Sequence, residues 1–269
     1  VPMLLSSRYV PRPLLQLDGW MWGIRQAFPE ELSLRDDDQL SFLPQVLERH
    51  GYSTALFTDH YAFRRETALG RQFETLYNSP SPRPLSDKRV VSRAIQWVRK
   101  NRLDKFFMYL HIVAPHGDYP PKDTDAGFLS GFGKDRIEEV RRKVSDPRNK
   151  GPVLQKWSQD EIAVLLGLYD SSLRHVDGLV GELYAALEEL HLARNTIFLV
   201  TSDHGENLGE HGQIFHGGTP WDSVLHIPLI LVYPPLIPPG TRAGGLVEAV
   251  DIFPTLLDLA GIPLPHGKF

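Results

Sequence analysis

The sequence predicts an α/β fold, a mostly parallel sheet flanked by helices. Three observations point there. Helical and strand patterns alternate along most of the 269 residues. The strand candidates are short continuous apolar runs, as expected of strands buried on both faces. A hydrophobic content of 42% and a near balance of 29 basic and 33 acidic residues suit a packed core and exclude a disordered chain.

Residues 1 to 38 are irregular and Pro-rich, with Trp20 and Trp22 as anchors. Asp36-Asp37-Asp38 reads as a helix start, because carboxylates suit the positive end of the helix dipole. Leu40 to His50 follows, with Leu43, Val46 and Leu47 at helical spacing. It stops at Gly51, the usual residue type just past a helix C-terminus. Ser53 to Thr58 reads as a short buried strand. Ser86 to Lys100 is an amphipathic helix with Val90, Val91, Ala94, Ile95, Trp97 and Val98 apolar. Phe106 to Val113, apolar and aromatic, is a strand. Pro120 to about Trp157 is polar and reads as an excursion from the core, its basic cluster Arg136 to Lys150 forming a solvated face. Glu161 to Leu190 is the longest helical pattern, with Val164, Leu165, Leu168, Val176, Val180 and Leu183 near 3.6 spacing. Thr196 to Ser202 and Ile227 to Tyr233 are further strands. Val247 to Ala260 has a strand-like start and then a helix, stopped by Gly261 and Pro263. The whole, residues 1–269, is expected to be a single partial domain.

Composition removes several functions. A net charge of -4 and a pI near 6.3 argue against a general nucleic-acid binder. No apolar run approaches the ~20 residues that span a bilayer. Without cysteine the chain offers no disulfide, zinc-thiolate site or thiol nucleophile. The start, Val1-Pro2-Met3, carries neither an initiator methionine nor a signal pattern, so the chain is expected to be part of something longer. Compartment and oligomeric state stay open.

In open α/β sheets, ligand sites gather at the carboxyl ends of strands. The strand Thr196 to Ser202 runs into Asp203-His204-Gly205-Glu206. A hard carboxylate oxygen beside a borderline imidazole nitrogen suits a divalent cation. An N-cap Asp beside an incidental His would look the same. Gly205 is expected to allow a tight turn. The strand Phe106 to Val113 ends in Ala114-Pro115-His116-Gly117. An imidazole there can bind an anion or protonate a leaving group, whereas His111, inside the strand, reads as a core histidine. Downstream, Gly209 to Gly218 holds His211 and His216 in a Gly-rich loop that could cradle a tetrahedral anion.

Taken together, these segments resemble the sulfatase family of the alkaline-phosphatase-like superfamily. Thr201-Ser202-Asp203-His204-Gly205-Glu206-Asn207-Leu208-Gly209-Glu210-His211-Gly212 is similar to the family's signature. Leu110-His111-Ile112-Val113-Ala114-Pro115-His116 resembles its strand ending in Pro-His, and Gly51-Tyr52-Ser53-Thr54-Ala55 its Gly-Tyr-x-Thr-Ala turn. Asp251-Ile252-Phe253-Pro254-Thr255-Leu256-Leu257 resembles the helix that closes its main domain.

The resemblance implies a hydrolase of sulfate esters with a divalent metal. Asp203 and His204 would be ligands of that metal, calcium in sulfatases, or Mn2+, Mg2+ or Zn2+ for phosphoryl chemistry. His116 would contact the sulfate or the leaving-group oxygen. His216 falls where the family often has a lysine in the substrate pocket. His211 lies in the same Gly-rich loop, and His60 stands near where the family carries a Gly-Lys-Trp-His segment; both are assigned to substrate binding. Asp59 follows the same strand end. The family's nucleophile sits in a Cys/Ser-x-Pro-Ser-Arg motif. Leu4-Leu5-Ser6-Ser7-Arg8-Tyr9 resembles the stretch that trails it; Ser6 or Ser7 could be proposed as the nucleophile, but both match the tail of the motif rather than its head, and the core is expected to be incomplete at both ends. The expected partner is a small or carbohydrate sulfate ester, on whose rings Trp20, Trp22 or Trp221 could stack, although core packing suits at least two of them. Two other readings remain: a phosphodiesterase, phosphonate monoester hydrolase or phospho-group transferase of the same superfamily, and a catalytically dead sulfatase-like binding module.

Overall fold

A computed structural model of the chain describes residues 42–60, 63–67, 69–78, 86–117, 119, 125–146, 157–216 and 220–265. Ser6, Ser7, Trp20, Trp22, Asp36, Asp37, Asp38, Gly217 and Gly218 lie outside the described residues.

Helix α1 (Leu43–Arg49) begins three residues later than its apolar pattern predicts. Gly51, at φ +80, takes the left-handed position just past the helix, and Tyr52 N–H returns to the Leu47 carbonyl at 3.1 Å. The chain then enters β1 (Ser53–Thr58), which matches its predicted limits. Strand β1 lies between β2 (Thr75–Asn78) and β3 (Phe106–His111), parallel to both. Helix α2 (Ser86–Lys100) also matches its predicted span. Strand β3 is shorter than expected, because Val113 leaves the ladder to accept from His116 N–H at 2.9 Å.

Side-chain alternation along these strands separates two layers. Ala55 and Phe57 of β1 and Met108 and Leu110 of β3 pack against Val90 and Ala94 of α2. Leu56, Phe107 and Tyr109 point the other way, into a cluster with Phe42, Phe63 and Phe73. Phe107 also meets Leu43 and Leu47 of α1 and Phe253 and Leu257 of α7 (Ile252–Leu259). Residues 247 and 248, expected to start a strand, lead instead into a 3-10 turn, Ala249–Asp251, that runs straight into α7.

The segment expected to leave the core carries helices α3 (Asp125–Phe128) and α4 (Lys134–Ser145), which pack on α5 (Gln159–Glu189). Tyr119, Leu129, Val140 and Val144 are buried with Val164, Leu165 and Leu168 of α5. Three of its described basic residues are paired rather than simply solvated. Arg141 reaches Asp125 and Glu138, Arg136 reaches Asp160 and Glu139, and Lys143 reaches Glu161. The start of α5 is set by reciprocal caps: Ser158 Oγ accepts from Glu161 N–H at 3.2 Å, and Glu161 accepts from Ser158 N–H at 2.8 Å.

Strand β4 (Phe198–Thr201) reaches this sheet region through Phe198, which packs with Ile112, Met108 and Leu110 on Val91, Leu179 and Leu183. Its partner β7 (Leu229–Val232) is antiparallel to it, an exception to the mostly parallel expectation. A short hairpin of β5 (Asn207–Leu208) and β6 (Ile214–Phe215) follows, then the one-turn α6 (Asp222–Leu225). Among the described residues, no helix is long and apolar enough to cross a membrane.

Candidate active site at the strand ends

The carboxyl ends of β1, β3 and β4 converge, as the rule for open α/β sheets requires. Beyond β4 the backbone is pinned on three sides. Thr201 Oγ1 donates to the Pro228 carbonyl at 2.9 Å, Ser202 Oγ to the His204 carbonyl at 2.6 Å, and Gly205 N–H to the Val224 carbonyl at 2.7 Å. Gly205 is required here for a reason other than the tight turn its sequence suggests. A Cβ at this position would lie 2.1 Å from the Ser223 carbonyl oxygen. Gly205→Ala therefore has to push backbone apart. It is expected to cost about 1–3 kcal/mol of stability and to displace Asp203 and His204, read by chemical denaturation and by loss of divalent-cation affinity.

Within this turn His204 Nε2 stands 3.8 Å from Asp203 Oδ1. His204 Nδ1 donates to the Gly205 carbonyl at 2.8 Å, which leaves Nε2 as the free nitrogen. Burial pushes the Asp203 carboxyl up, but its interactions with His204 and His111, which are protonated in the acid range where the carboxyl titrates, help outweigh burial and hold it below its ordinary value. An ionised carboxylate and a lone-pair nitrogen on one exposed turn fit a divalent cation.

The hairpin carries the second component. Asn207 is buried, its Nδ2 donating to the Phe215 carbonyl at 2.6 Å and its Oδ1 accepting from Ser223 Oγ at 2.6 Å. Asn207 and Phe215 are ladder partners, so their outer neighbours Glu206 and His216 meet. His216 Nδ1 lies 2.9 Å from Glu206 Oε1, and the Glu206 side chain is only 5% exposed. Phe215 has φ +67, a conformation that bulky residues rarely adopt, and it is the residue from which His216 departs.

His116 completes the cluster from the end of β3. It follows a cis Ala114–Pro115 bond, and Asp59 Oδ1 braces the same loop by accepting from Val113 N–H at 3.4 Å. The His116 ring lies 4.9 Å from His216 and 6.2 Å from His204, and the His204 and His216 rings are 3.9 Å apart, centroid to centroid. One nitrogen from each of the three lies within 4.8 Å of the others. Burial, and after it the neighbouring His216, lowers the pKa of His116.

Beside this cluster lies a second pair. His111 Nδ1 and Thr58 Oγ1 are 3.0 Å apart, as expected from their pairing across β1 and β3. Burial, then His60, lowers the His111 pKa to about 4, so this imidazole is neutral. The His60 ring meets His111 edge-on at 5.6 Å, and burial lowers its pKa against the pull of Asp203. Tyr109, stacked on His111, is pushed well up by burial and then by Asp203.

The structure thus brings His116, His216, Asp203 and His204 together and sets His60 nearby. It treats His211 differently: that ring is exposed and stacks on Trp221 at 3.9 Å, outside the imidazole cluster. Glu206 was missed as the partner of His216, and Thr58 as the partner of the strand histidine His111. Glu206 had a readable signal: it precedes His216 by ten positions, with Gly209 and Gly212 between them, a spacing a short hairpin can close.

An α/β sheet with a carboxylate–imidazole pair and further imidazoles gathered at its strand ends offers a candidate metal and anion site in the usual place for such folds. A model described as Sulfatase matches residues 32–262. The chain belongs to the sulfatase family, within the alkaline-phosphatase-like superfamily. Arylsulfatase K of Homo sapiens is 30% identical over 268 residues, covering 82% of this chain and 49% of the relative. Arylsulfatase K of Rattus norvegicus is 30% identical over 260 residues, covering 82% and 46%. The chain spans about half the length of these curated relatives. A protein solved in complex with its substrate D-glucosamine-2-N,6-O-disulfate superposes with a TM-score of 0.70 at 18% identity, covering 98% of this chain and 67% of its own. Phosphonate monoester hydrolase of Agrobacterium radiobacter gives 0.66 at 17% identity, covering 84% and 59%. Sulfatases generally depend on a divalent metal.

Proposed function

We propose that the protein carrying this chain hydrolyses sulfate esters of carbohydrates, with its metal and anion sites built from these strand ends. The observation that supports this most is the convergence of Asp203 and His204 with His116 and His216 in a sulfatase-family chain. Asp203 and His204 are assigned as metal ligands, and calcium as the ion. A divalent cation there would polarise the ester oxygens and lower the pKa of the attacking group. None of the described residues is assigned as the nucleophile.

His116 keeps an exposed edge and is assigned to the sulfate or the leaving-group oxygen. His216, held by Glu206, presents Nε2 to the same anion where the family often has lysine. His60, with its lowered pKa, is assigned to neutral hydrogen bonding with substrate beside Asp203. His211 and Trp221 offer a stacked, partly open aromatic surface suited to a sugar ring.

Turnover of an aryl sulfate, a 6-O-sulfated glucosamine and a phenyl phosphonate by the full-length protein, with calcium or with chelator, tests the reading. Sulfate turnover lost to the chelator is the expected result. A larger kcat/KM for the phosphonate would assign the site to phosphoryl chemistry, and sugar-sulfate binding without turnover would make the protein a binding module.

A further inference from the structure

We propose that His116, His204 and His216 form a three-imidazole site for a borderline transition-metal ion, zinc above all. Its donor set differs from the Asp203–His204 pair assigned to the hard cation. Zinc binding at this site does not depend on the sulfatase reading, whereas its effect on substrate rests on that reading.

Three observations carry this. First, one nitrogen from each ring lies within 4.8 Å of the other two, and small ring rotations bring such a set around one ion. Zinc binds imidazole nitrogens at about 2.0–2.1 Å and takes three protein ligands plus one open position in many sites. Second, two of the rings are already held as metal-binding imidazoles usually are, with the remote N–H donated to a fixed acceptor. His204 Nδ1 faces the Gly205 carbonyl at 2.8 Å, and His216 Nδ1 faces the Glu206 carboxylate at 2.9 Å. A carbonyl and a carboxylate only accept, so each Nδ1 carries its hydrogen and Nε2 is the nitrogen that turns to a metal, giving up its proton where it holds one. The Glu206–His216 pair has the carboxylate–histidine arrangement that raises ligand basicity. Third, the donor set is all nitrogen. Calcium takes oxygen ligands, whereas zinc, copper and nickel favour imidazole.

His204 belongs to both donor sets, and His116 and His216 are the groups assigned to the anion. A zinc ion in the three-histidine site therefore takes a ligand from the hard cation and two contacts from the substrate. It acts as an inhibitor that excludes substrate.

The test is zinc titration of the full-length protein by calorimetry, with cobalt as a spectroscopic stand-in. The expected result is one zinc bound, tetrahedral cobalt bands in the visible spectrum, and an apparent zinc affinity that calcium lowers by competing for His204. His116→Asn, on the exposed rim, is expected to lower zinc affinity at least tenfold. Glu206→Gln is expected to lower it about 10-fold through His216. Asp203→Ala is expected to leave it within threefold. Thermal melting identifies any variant that has lost its fold, and the rim substitution keeps the test readable if the buried one has. Zinc binding lost in Asp203→Ala and kept in His116→Asn would overturn the proposal, as would no zinc binding at all.

Discussion

Asp203→Ala is expected to reduce kcat/KM for a sulfate ester by at least about 10^3-fold, the scale on which a main charge-stabilising group acts. The physical reason is the position of this carboxylate. It stands at the end of β4 on a turn held by three hydrogen bonds, donated by Thr201, Ser202 and Gly205, none of which uses the Asp203 or His204 side chain. Its neighbours keep it ionised, so it supplies the anionic oxygen of the pair, and His204 alone supplies only neutral nitrogen. The side chain is 41% exposed and carries no packing role, so the fold should melt within about 0.5 kcal/mol of the parent. Calcium affinity, measured by calorimetry, is expected to fall with activity. Unchanged calcium affinity with lost activity would remove Asp203 from the metal site and leave it an electrostatic partner of His60 and His111.

Much of this centre was legible in the sequence because its residues sit at strand ends, and strand ends are set by local pattern. Ser53 to Thr58 centres on the apolar run Ala55-Leu56-Phe57, flanked by the β-branched Thr54 and Thr58, between Gly51 and Asp59, and Asp203 follows the largely apolar run that forms β4. What local pattern could not show is pairing between distant segments. That Glu206 meets His216 follows from the ladder between Asn207 and Phe215, and from a left-handed Phe215 that no propensity favours. Likewise, the antiparallel β7 has the same apolar composition as a parallel strand, so only its partner reveals its direction. The 125–146 region misled for a third reason. Its two buried valines are outnumbered by charged residues, and those charges pair with one another and with α5 instead of facing only water. His211 looked like His216 in sequence, two imidazoles in one Gly-rich loop. It turns outward because its backbone lies at φ +56 and Trp221 offers a flat partner.

His216→Ala is expected to cost about 10^2–10^3-fold in kcat/KM, the range for removing one anion-stabilising donor. It should also destabilise the protein by about 3 kcal/mol, because a buried Glu206 carboxylate is left without the imidazole that now meets it at 2.9 Å. These two effects have different origins and can be separated. In the double variant His216→Ala with Glu206→Ala, the stranded charge is gone, so part of the stability should return while activity stays lost. Glu206→Ala alone is expected to lose about 10-fold in activity, and the double variant should be no worse than His216→Ala. That non-additivity is the signature of a carboxylate that acts only through the ring it orients. If instead the two losses multiply, Glu206 contacts the substrate or its metal directly, and the anion site extends further along the hairpin than His216.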